Sequence, residues 1–482
     1  MKLEKILKGV DIVQQTAQNT CEIGELKYDS RHVKQGDVFV AITGYATDGH
    51  KYIDKAIELG AAVVVCEYIP ENGIAVPYVQ VKSSRRALAQ MAANYFDHPA
   101  EHMTMVGITG TNGKTTTTYL IKTILEAQGH KVGLIGTNQN MIGNEIMETE
   151  RTTPESFELQ RLFAQMRDAG CMHVLMEVSS HSLVLDRVYG ITFDVGAFTN
   201  LTQDHLDFHK TMEAYRDAKA LLFHQSKIGV MNSDDAHGRI ILEEQACPFV
   251  TYGEQEGCAM RAKDIELHAD SIQFNCVADN EVVPVVLGIP GQFTVYNALC
   301  ALACAKALGI PTTTAAAALR TAHGVKGRVE VVPTNTDYTV LIDYAHSPDG
   351  VENVLRAARG FTKGRLIGLF GCGGDRDRTK RPKMGAIAAK LSDLCIVTSD
   401  NPRTEQPEAI IADILEGMKD TKTPYEVIVG RPEAICHALD IAKAGDTIVL
   451  MGKGHETYQE INHVKHHLDE REVVAEYFAN KK

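Results

Sequence analysis

The chain has no CxxC pair, and its eleven cysteines are an odd number. They are read as buried, reduced thiols of a cytoplasmic protein. No apolar stretch approaches the length of a membrane span. The opening "MKLEKILKGVDIVQQ" lacks the apolar core and small-residue cleavage site of a secretory leader. An excess of positive charge is missing too. The formal net charge of −13 argues against a broad surface for nucleic acid or anionic membrane. Phosphorylated substrates stay open, because they need only a local nest of donors. Internal repeats and low-complexity tracts are also absent.

What is present is ordinary globular composition, with 44% hydrophobic and 23% charged residues. At 482 residues the chain has room for roughly three domains, at one per about 150 residues. Residues 1–98 hold the short strands "DVFVAI" and "AAVVVCE" around the helical "YIDKAIELG". A polar stretch, "FDHPAEH", precedes the apolar strand "MTMVGIT", and from there to residue 330 strands such as "HVLMEVSS" and "FDVGAFTN" alternate with helical segments. A second break falls near "VVPTNTDYT", and residues 331–482 then read as βα units that finish on "DTIVLM". Continuous apolar strands alternating with helices imply parallel sheets covered on both faces. The expectation is three α/β domains: 1–98, 99–330 and 331–482.

Ligands of such sheets sit beyond the carboxyl ends of the strands. In the last segment every strand runs into polar residues there. "TVLI" leads to Asp343-Tyr344-Ala345-His346, "LIGLF" to "GCGGDRDR", "CIVTS" to Asp400, Asn401, Pro402 and Arg403, and "TIVLM" to "GKGHE". Four polar sets therefore face one cleft.

Residues 107–118, "GITGTNGKTTTT", carry the sharpest motif. A strand enters a glycine-rich turn and a helix opens at Lys114. The backbone N–H groups of Gly110, Thr111, Asn112 and Gly113, with the helix start at Thr115 and Thr116, would cradle a polyphosphate. Lys114 would reach the β and γ phosphates of ATP, and the Thr115 hydroxyl would meet Mg²⁺. The first glycine of the general GxxxxGK[ST] pattern is Ile108 here, which leaves the tighter G-x-x-G-K-T.

Two residues read as partners of that loop. Glu177 sits in the apolar strand "VLMEVSSH", where an unpaired carboxylate is costly. His205 follows another strand end in "TNLTQDHLDFH". A buried Glu can simply be paired and a His can cap a turn, so each gains weight only beside the phosphate loop. Lys219, in "TMEAYRDAKALLF", falls on the apolar face with Tyr215 and Leu222. It is either a snorkelling lysine with a packed stem or a chemically altered one.

In this order, "GTNGKTT", "MEVSSH", "TNLTQDHLDFH", "YRDAKALLF", "YNALCALA", "GRVEVV", "DYAHSPDG", "GCGGDRDRTKRP", "DNPR" and "GKGHE" resemble the Mur ligases over essentially the whole chain. "DSR" at 29–31 and "RTTP" at 151–154 sharpen the likeness. The resemblance implies a first domain for a uridine nucleotide, a central ATPase domain and a Rossmann-like third domain for an incoming amino acid. It implies an ADP-forming ligase, monomeric and dependent on ATP and Mg²⁺, that joins meso-2,6-diaminopimelate to UDP-N-acetylmuramoyl-L-alanyl-D-glutamate through an acyl phosphate.

By motif, Ser30 and the Tyr45-Ala46-Thr47 run would contact the UDP-sugar, and Thr152, Thr153, Ser179 and Arg187 the rest of the acceptor. Asn297, Arg328 and Asp343 would help seat ATP. Lys219 would be the family's N6-carboxylysine, binding Mg²⁺ with Thr115, Glu177 and His205. Arg376, Gly452 and Glu456 would complete the pocket of "DNPR", whose Arg403 matches the distal carboxylate that distinguishes diaminopimelate from lysine. A lysine-adding or folylpolyglutamate-type ligase shares the ATPase core, but "DSR" with "DNPR" disfavours both. A phosphate-loop switch or motor would need no small-molecule amine.

Overall fold

The computed structural model describes residues 1–44, 47–147, 149, 151–268, 271–322 and 324–481. Three α/β domains are present, each built on its own sheet. In the first, strands Ile12–Gln15, Tyr78–Val81, Val63–Cys66, Val38–Val40 and Leu26–Lys27 lie in that order, and only the first pairing is antiparallel. Val63–Cys66 is buried at every residue, as a central strand of a two-sided sheet must be.

The central sheet has eleven strands. At its heart Thr104–Thr109 lies between His173–Glu177 and Phe193–Phe198, all parallel. The parallel set continues outward through Ser226–Asn232 and Phe249–Gly253 on one side and Val132–Ile135 on the other. Here the structure adds what the pattern did not suggest. Met260–Leu267, Ile272–Ala278 and Glu281–Leu287 form an antiparallel meander at one end of the sheet, with no intervening helices. Ile272–Ala278 buries alternate residues under the helix Gln292–Ala307, whose own middle is buried all round. Each fully buried Val, Ile, Leu or Phe side chain contributes about 1.5–3 kcal/mol.

The third sheet runs Glu330–Val332, Thr339–Asp343, Thr447–Met451, Leu366–Phe370, Leu394–Val397 and Tyr425–Val427, parallel after the first pair. The chain does not finish on Thr447–Met451 as its pattern suggested. A two-stranded hairpin, Tyr458–Ile461 with Val464–His467, and a helix, Glu470–Asn480, follow. The helix is capped by the Asp469 side chain, and its Arg471 bonds Glu330 and so ties it to the first strand of the sheet.

Polar contacts join the domains. Tyr28 Oη donates to Glu158 at 2.8 Å and Arg161 to Glu25 at 2.6 Å, linking the first domain to the helix Ser156–Asp168. Asn112 of the glycine turn and Thr202 both donate to Asp349, at 2.5 and 3.1 Å, linking the central domain to the helix Pro348–Arg359.

Candidate active site

The turn after Thr104–Thr109 requires its glycines. Gly110 has φ 147°, and a Cβ there would lie 1.8 Å from Thr199 Oγ1. Gly113 has φ 85°, and a Cβ there would lie 2.4 Å from Asn297 Oδ1. Residues 199 and 200 brace the turn: Thr199 Oγ1 donates to Asn112 O at 2.6 Å, and Asn112 N donates to Asn200 Oδ1 at 3.0 Å. The helix Lys114–Ala127 opens immediately afterwards, so its N–H dipoles face the turn.

Lys114 Nζ folds back onto Gly110 O at 2.9 Å and Thr111 O at 2.8 Å. Lys219 Nζ reaches the same Gly110 O at 2.9 Å from the helix Met212–Ala220 and lies 4.4 Å from the Tyr215 ring centre. Both amines are pushed below the ordinary lysine range, first by burial and, for Lys219, second by the Lys114 charge. Lys219 is only 1% exposed and forms no ion pair among the described residues. Tyr215 and Lys219 do share the buried face that their spacing implied.

Glu177 is buried and well satisfied. Its Oε1 accepts from Thr115 Oγ1 at 2.9 Å and from Thr137 N at 3.0 Å, and its Oε2 accepts from Thr137 Oγ1 at 2.9 Å. Arg328 reaches Thr115 Oγ1 at 3.4 Å and lies over Tyr344. Asp343 accepts from Val329 N and Ala345 N, and burial raises its carboxyl above the ordinary range. Beside these lies a cavity of about 380 Å³, lined among others by Thr116, Phe293, Asn297, Arg328 and Asp343.

Among the described residues no group of three or more His, Cys, Asp and Glu could hold a metal. The residues nonetheless fit a hard cation that shares its oxygen ligands with a polyphosphate. Thr115 and Glu177 supply oxygens at the mouth of the turn. Lys219, a buried amine without an anion, supplies a carboxylate only if carbamylated. His205, in left-handed backbone at φ 52°, stacks edge-on to His181 at 4.9 Å. Its imidazole is pushed down to about 4, by desolvation first and then by His181, Lys114 and Lys219 against the opposing Asp204.

The residues expected from the sequence to hold the acceptor separate into two places. Thr153 Oγ1 donates to Glu177 O at 2.8 Å and Ser179 N donates back to Thr153 Oγ1. Arg187 reaches Thr153 O at 3.1 Å, and Thr152 Oγ1 lies 3.0 Å from Thr137 Oγ1. These four gather around the end of the Glu177 strand. Ser30 opens the 3-10 turn Ser30–His32 and Thr47 lies in a loop of the first domain, and no hydrogen bond joins them to that group among the described residues. Tyr45 and Ala46 lie outside the described residues.

A second cleft, of about 870 Å³, opens between central and third domains. The third domain lines it with Arg376, Asp400, Asn401, Arg403, Gly452 and Glu456, and the central domain with Asp204 and His205. The four strand ends do converge. Pro402 is not on this cleft: its carbonyl backs the turn, 1.9 Å from where a Cβ on Gly374 would fall. Burial works against the Asp400 charge, yet Lys453 and Arg431 hold its carboxyl below the ordinary range.

Sequence reasoning passed over Lys453, which is fully buried and donates to Asn401 Oδ1 at 2.8 Å and Glu456 Oε2 at 2.7 Å. The "GKGHE" loop was its signal. It also passed over Asp349 and Glu460, whose contacts lie far away in sequence.

The fold and the site define a three-domain phosphate-loop protein with a second, zwitterion-lined cleft beside the loop. The family descriptions "Mur ligase middle domain", "Mur ligase, glutamate ligase domain" and "Mur ligase family, catalytic domain" match residues 108–305, 327–454 and 22–96. The chain belongs to the Mur ligase family. It is 49% identical over 484 residues, covering 99% of both chains, to the UDP-N-acetylmuramoyl-L-alanyl-D-glutamate–2,6-diaminopimelate ligase of Clostridium botulinum. The protein of that name in Clostridioides difficile is 45% identical over 483 residues, again with 99% of both covered. A solved structure of a ligase with this name superposes at TM-score 0.71 with 31% identity, covering 100% of this chain and 99% of the other. The MurF ligase of Thermotoga maritima, solved with ADP, shares the fold at TM-score 0.64 with 21% identity, covering 96% of this chain and 99% of that one.

Proposed function

We propose that the protein is an ADP-forming ligase that adds meso-2,6-diaminopimelate to the D-glutamyl carboxylate of UDP-N-acetylmuramoyl-L-alanyl-D-glutamate in peptidoglycan precursor synthesis. The observation that carries this reading is the shared cleft, where Arg403, Arg376 and Glu456 face Asp204 and His205 beside the phosphate loop. The full-length relatives in Clostridium botulinum and Clostridioides difficile, named as diaminopimelate ligases, support the same reading. We assign it to the cytoplasm, a reading supported by cysteines that are all free, and take it to be a monomer. Domain limits near residues 98 and 330 belong to this proposal.

In this mechanism the carboxylate of the acceptor attacks the γ-phosphorus of ATP, the bond to the β-phosphate oxygen breaks, and ADP leaves an acyl phosphate. The amine of diaminopimelate then attacks the acyl carbon, phosphate departs and a proton is lost, leaving an amide. Lys114 would turn from the Gly110 and Thr111 carbonyls to the β and γ phosphates, where its charge opposes the negative charge being transferred. Gly110 to Thr116 would cradle the phosphates with backbone N–H groups, and Asn297, Arg328 and Asp343 would seat the nucleotide. Thr152, Thr153, Ser179 and Arg187 would hold the acceptor peptide, and Ser30 with Thr47 its nucleotide-sugar end.

Mg²⁺ would be held by Thr115, Glu177, His205 and Lys219 as N6-carboxylysine, and when bound it would neutralise phosphate charge. Carbamylation forms an N–C bond between neutral Lys219 Nζ and carbon dioxide and releases a proton. Burial that disfavours the ammonium promotes that step. Arg403 and Arg376 would read the distal carboxylate, and Asn401, Glu456 and the Gly452 turn would complete the pocket. The test is ADP release with ATP alone, with acceptor added, and with acceptor plus diaminopimelate or lysine. Turnover that needs both partners and prefers diaminopimelate is expected; turnover indifferent to either amine overturns the reading.

A further inference from the structure

Arg403 is held in an unusual pose. It sits in left-handed backbone at φ 53°, a conformation that costs a non-glycine residue about 1 kcal/mol or more and persists only when surroundings impose it. The hairpin Tyr458–Ile461 with Val464–His467 imposes it here. Arg403 N donates to Glu460 O at 3.0 Å and Asn462 N donates to Arg403 O at 2.8 Å, so the hairpin's first strand clamps the residue as a short parallel bridge. Neighbouring residues reinforce the clamp: Glu460 N donates to Asn401 Oδ1 at 2.9 Å, and Gln459 Nε2 to Asp400 O at 2.5 Å.

The side chain is fixed from the same place. Arg403 Nε donates to Glu460 Oε2 at 3.1 Å, and Nη1 donates to Gly374 O at 2.8 Å. The two side chains are 17% and 22% exposed, so the pair is partly shielded from water. On the hairpin itself Glu460 also faces Lys465, its cross-strand register partner, and His463, 3.9 Å from its second oxygen. With Nε on Glu460 and one Nη1 proton on Gly374 O, the Nη2 protons and the second Nη1 proton are left for a carboxylate, and Arg403 lines the cleft.

We propose that Glu460 is a positioning residue for amino-acid selection: its carboxylate, carried on the hairpin, fixes the guanidinium of Arg403 so that its outer edge meets the distal carboxylate of the incoming amino acid. This rests on the diaminopimelate reading above. Glu460 touches no substrate in this account and acts only through Arg403. A free arginine would sample many rotamers, and fixing one of them before binding removes that cost from the affinity.

The test is steady-state kinetics of Glu460→Ala, with Glu460→Thr as a second variant suited to a strand, and Glu460→Gln as the conservative one. Loss of one charge-assisted bond should raise KM for diaminopimelate roughly tenfold in the Ala and Thr variants. KM for ATP and kcat should stay within about twofold, since those sites lie elsewhere. The Gln variant, whose amide oxygen still accepts from Nε, should recover most of the loss. In an Arg403→Ala background, Glu460→Ala should add nothing.

An unchanged diaminopimelate KM in folded Ala and Thr variants overturns the inference. So does a lowered KM, which would make Glu460 a competitor for Arg403, and so does a parallel rise for all substrates, which would make its role merely structural. If Arg403→Ala itself leaves selectivity over lysine intact, the underlying reading of the pocket fails instead.

Discussion

The phosphate-loop site and the cleft beside it treat positive charge in opposite ways. Around the glycine turn, Lys114 and Lys219 donate only to backbone carbonyls among the described residues, and both converge on Gly110 O. In the cleft domain the cations are matched in place: Arg403 with Glu460, Lys453 with Glu456, Arg431 with Glu470, and Arg381 with Glu405 and Asp413. Among the described residues neither lysine of the first site has a carboxylate within ion-pair reach, although Glu177 and Asp204 act on Lys114 from further off, as suits a ligand that brings several negative charges. The second matches most of its cations beforehand, with Arg376 bonded only to the Asp375 carbonyl among the described residues, as suits a zwitterion that must be oriented rather than neutralised. A buried cation without an anion is costly, so the imbalance of the first site marks where polyphosphate belongs.

The comparison can be broken most severely at Lys114. Lys114→Ala should lower ADP release at least about a thousandfold while the thermal transition stays near wild type, because the side chain neutralises charge and fills no core. Near-normal turnover in the folded variant would remove the anion-short site from the account. Lys219 comes next. Lys219→Ala and Lys219→Arg should both lose on the order of a hundredfold or more in kcat, and added short-chain carboxylates should restore part of the activity to the Ala variant alone. A fully active Lys219→Arg enzyme would mean that the position needs only a cation.

On the balanced side, Arg403→Ala should raise KM for diaminopimelate by roughly thirty- to a thousandfold and narrow the preference over lysine, as loss of a partly buried charge pair does. Competition assays with the two amines measure this directly. The smallest effect concerns acid. Asp400 has a carboxyl held below its unfolded value, so its ionised form contributes stability that is complete above about pH 4 and is lost as pH falls through the lower folded value. Between pH 6 and 3 the Tm of Asp400→Asn should therefore fall less steeply than that of wild type. Parallel slopes would mean that Lys453 and Arg431 do not favour the charged form.

The glycine turn was legible because its chemistry is local: strand, turn, lysine and helix start lie within about a dozen residues. Glu177 and Lys219 were legible as misfits, polar groups in apolar patterns. The antiparallel strands from Met260 to Leu287 were missed because alternating burial over short runs carries little signal without the covering helix Gln292–Ala307. Pro402 was grouped with a pocket it does not line, since adjacency in sequence does not say which side of a turn faces the cleft.

The order of apolar strands and helices, the glycines that alone fit their turn, and the polar sets at strand ends follow from the amino-acid sequence, because each rests on neighbours a few residues apart. Tertiary structure alone decided the pairings across long separations. Lys219 shares Gly110 O from 109 residues away, Asp349 meets Asn112 from 237 residues away, and Glu460 reaches Arg403 from 57 residues away. Those bonds form only once sheets have twisted and domains have met, and their few-ångström reach leaves no trace in local spacing.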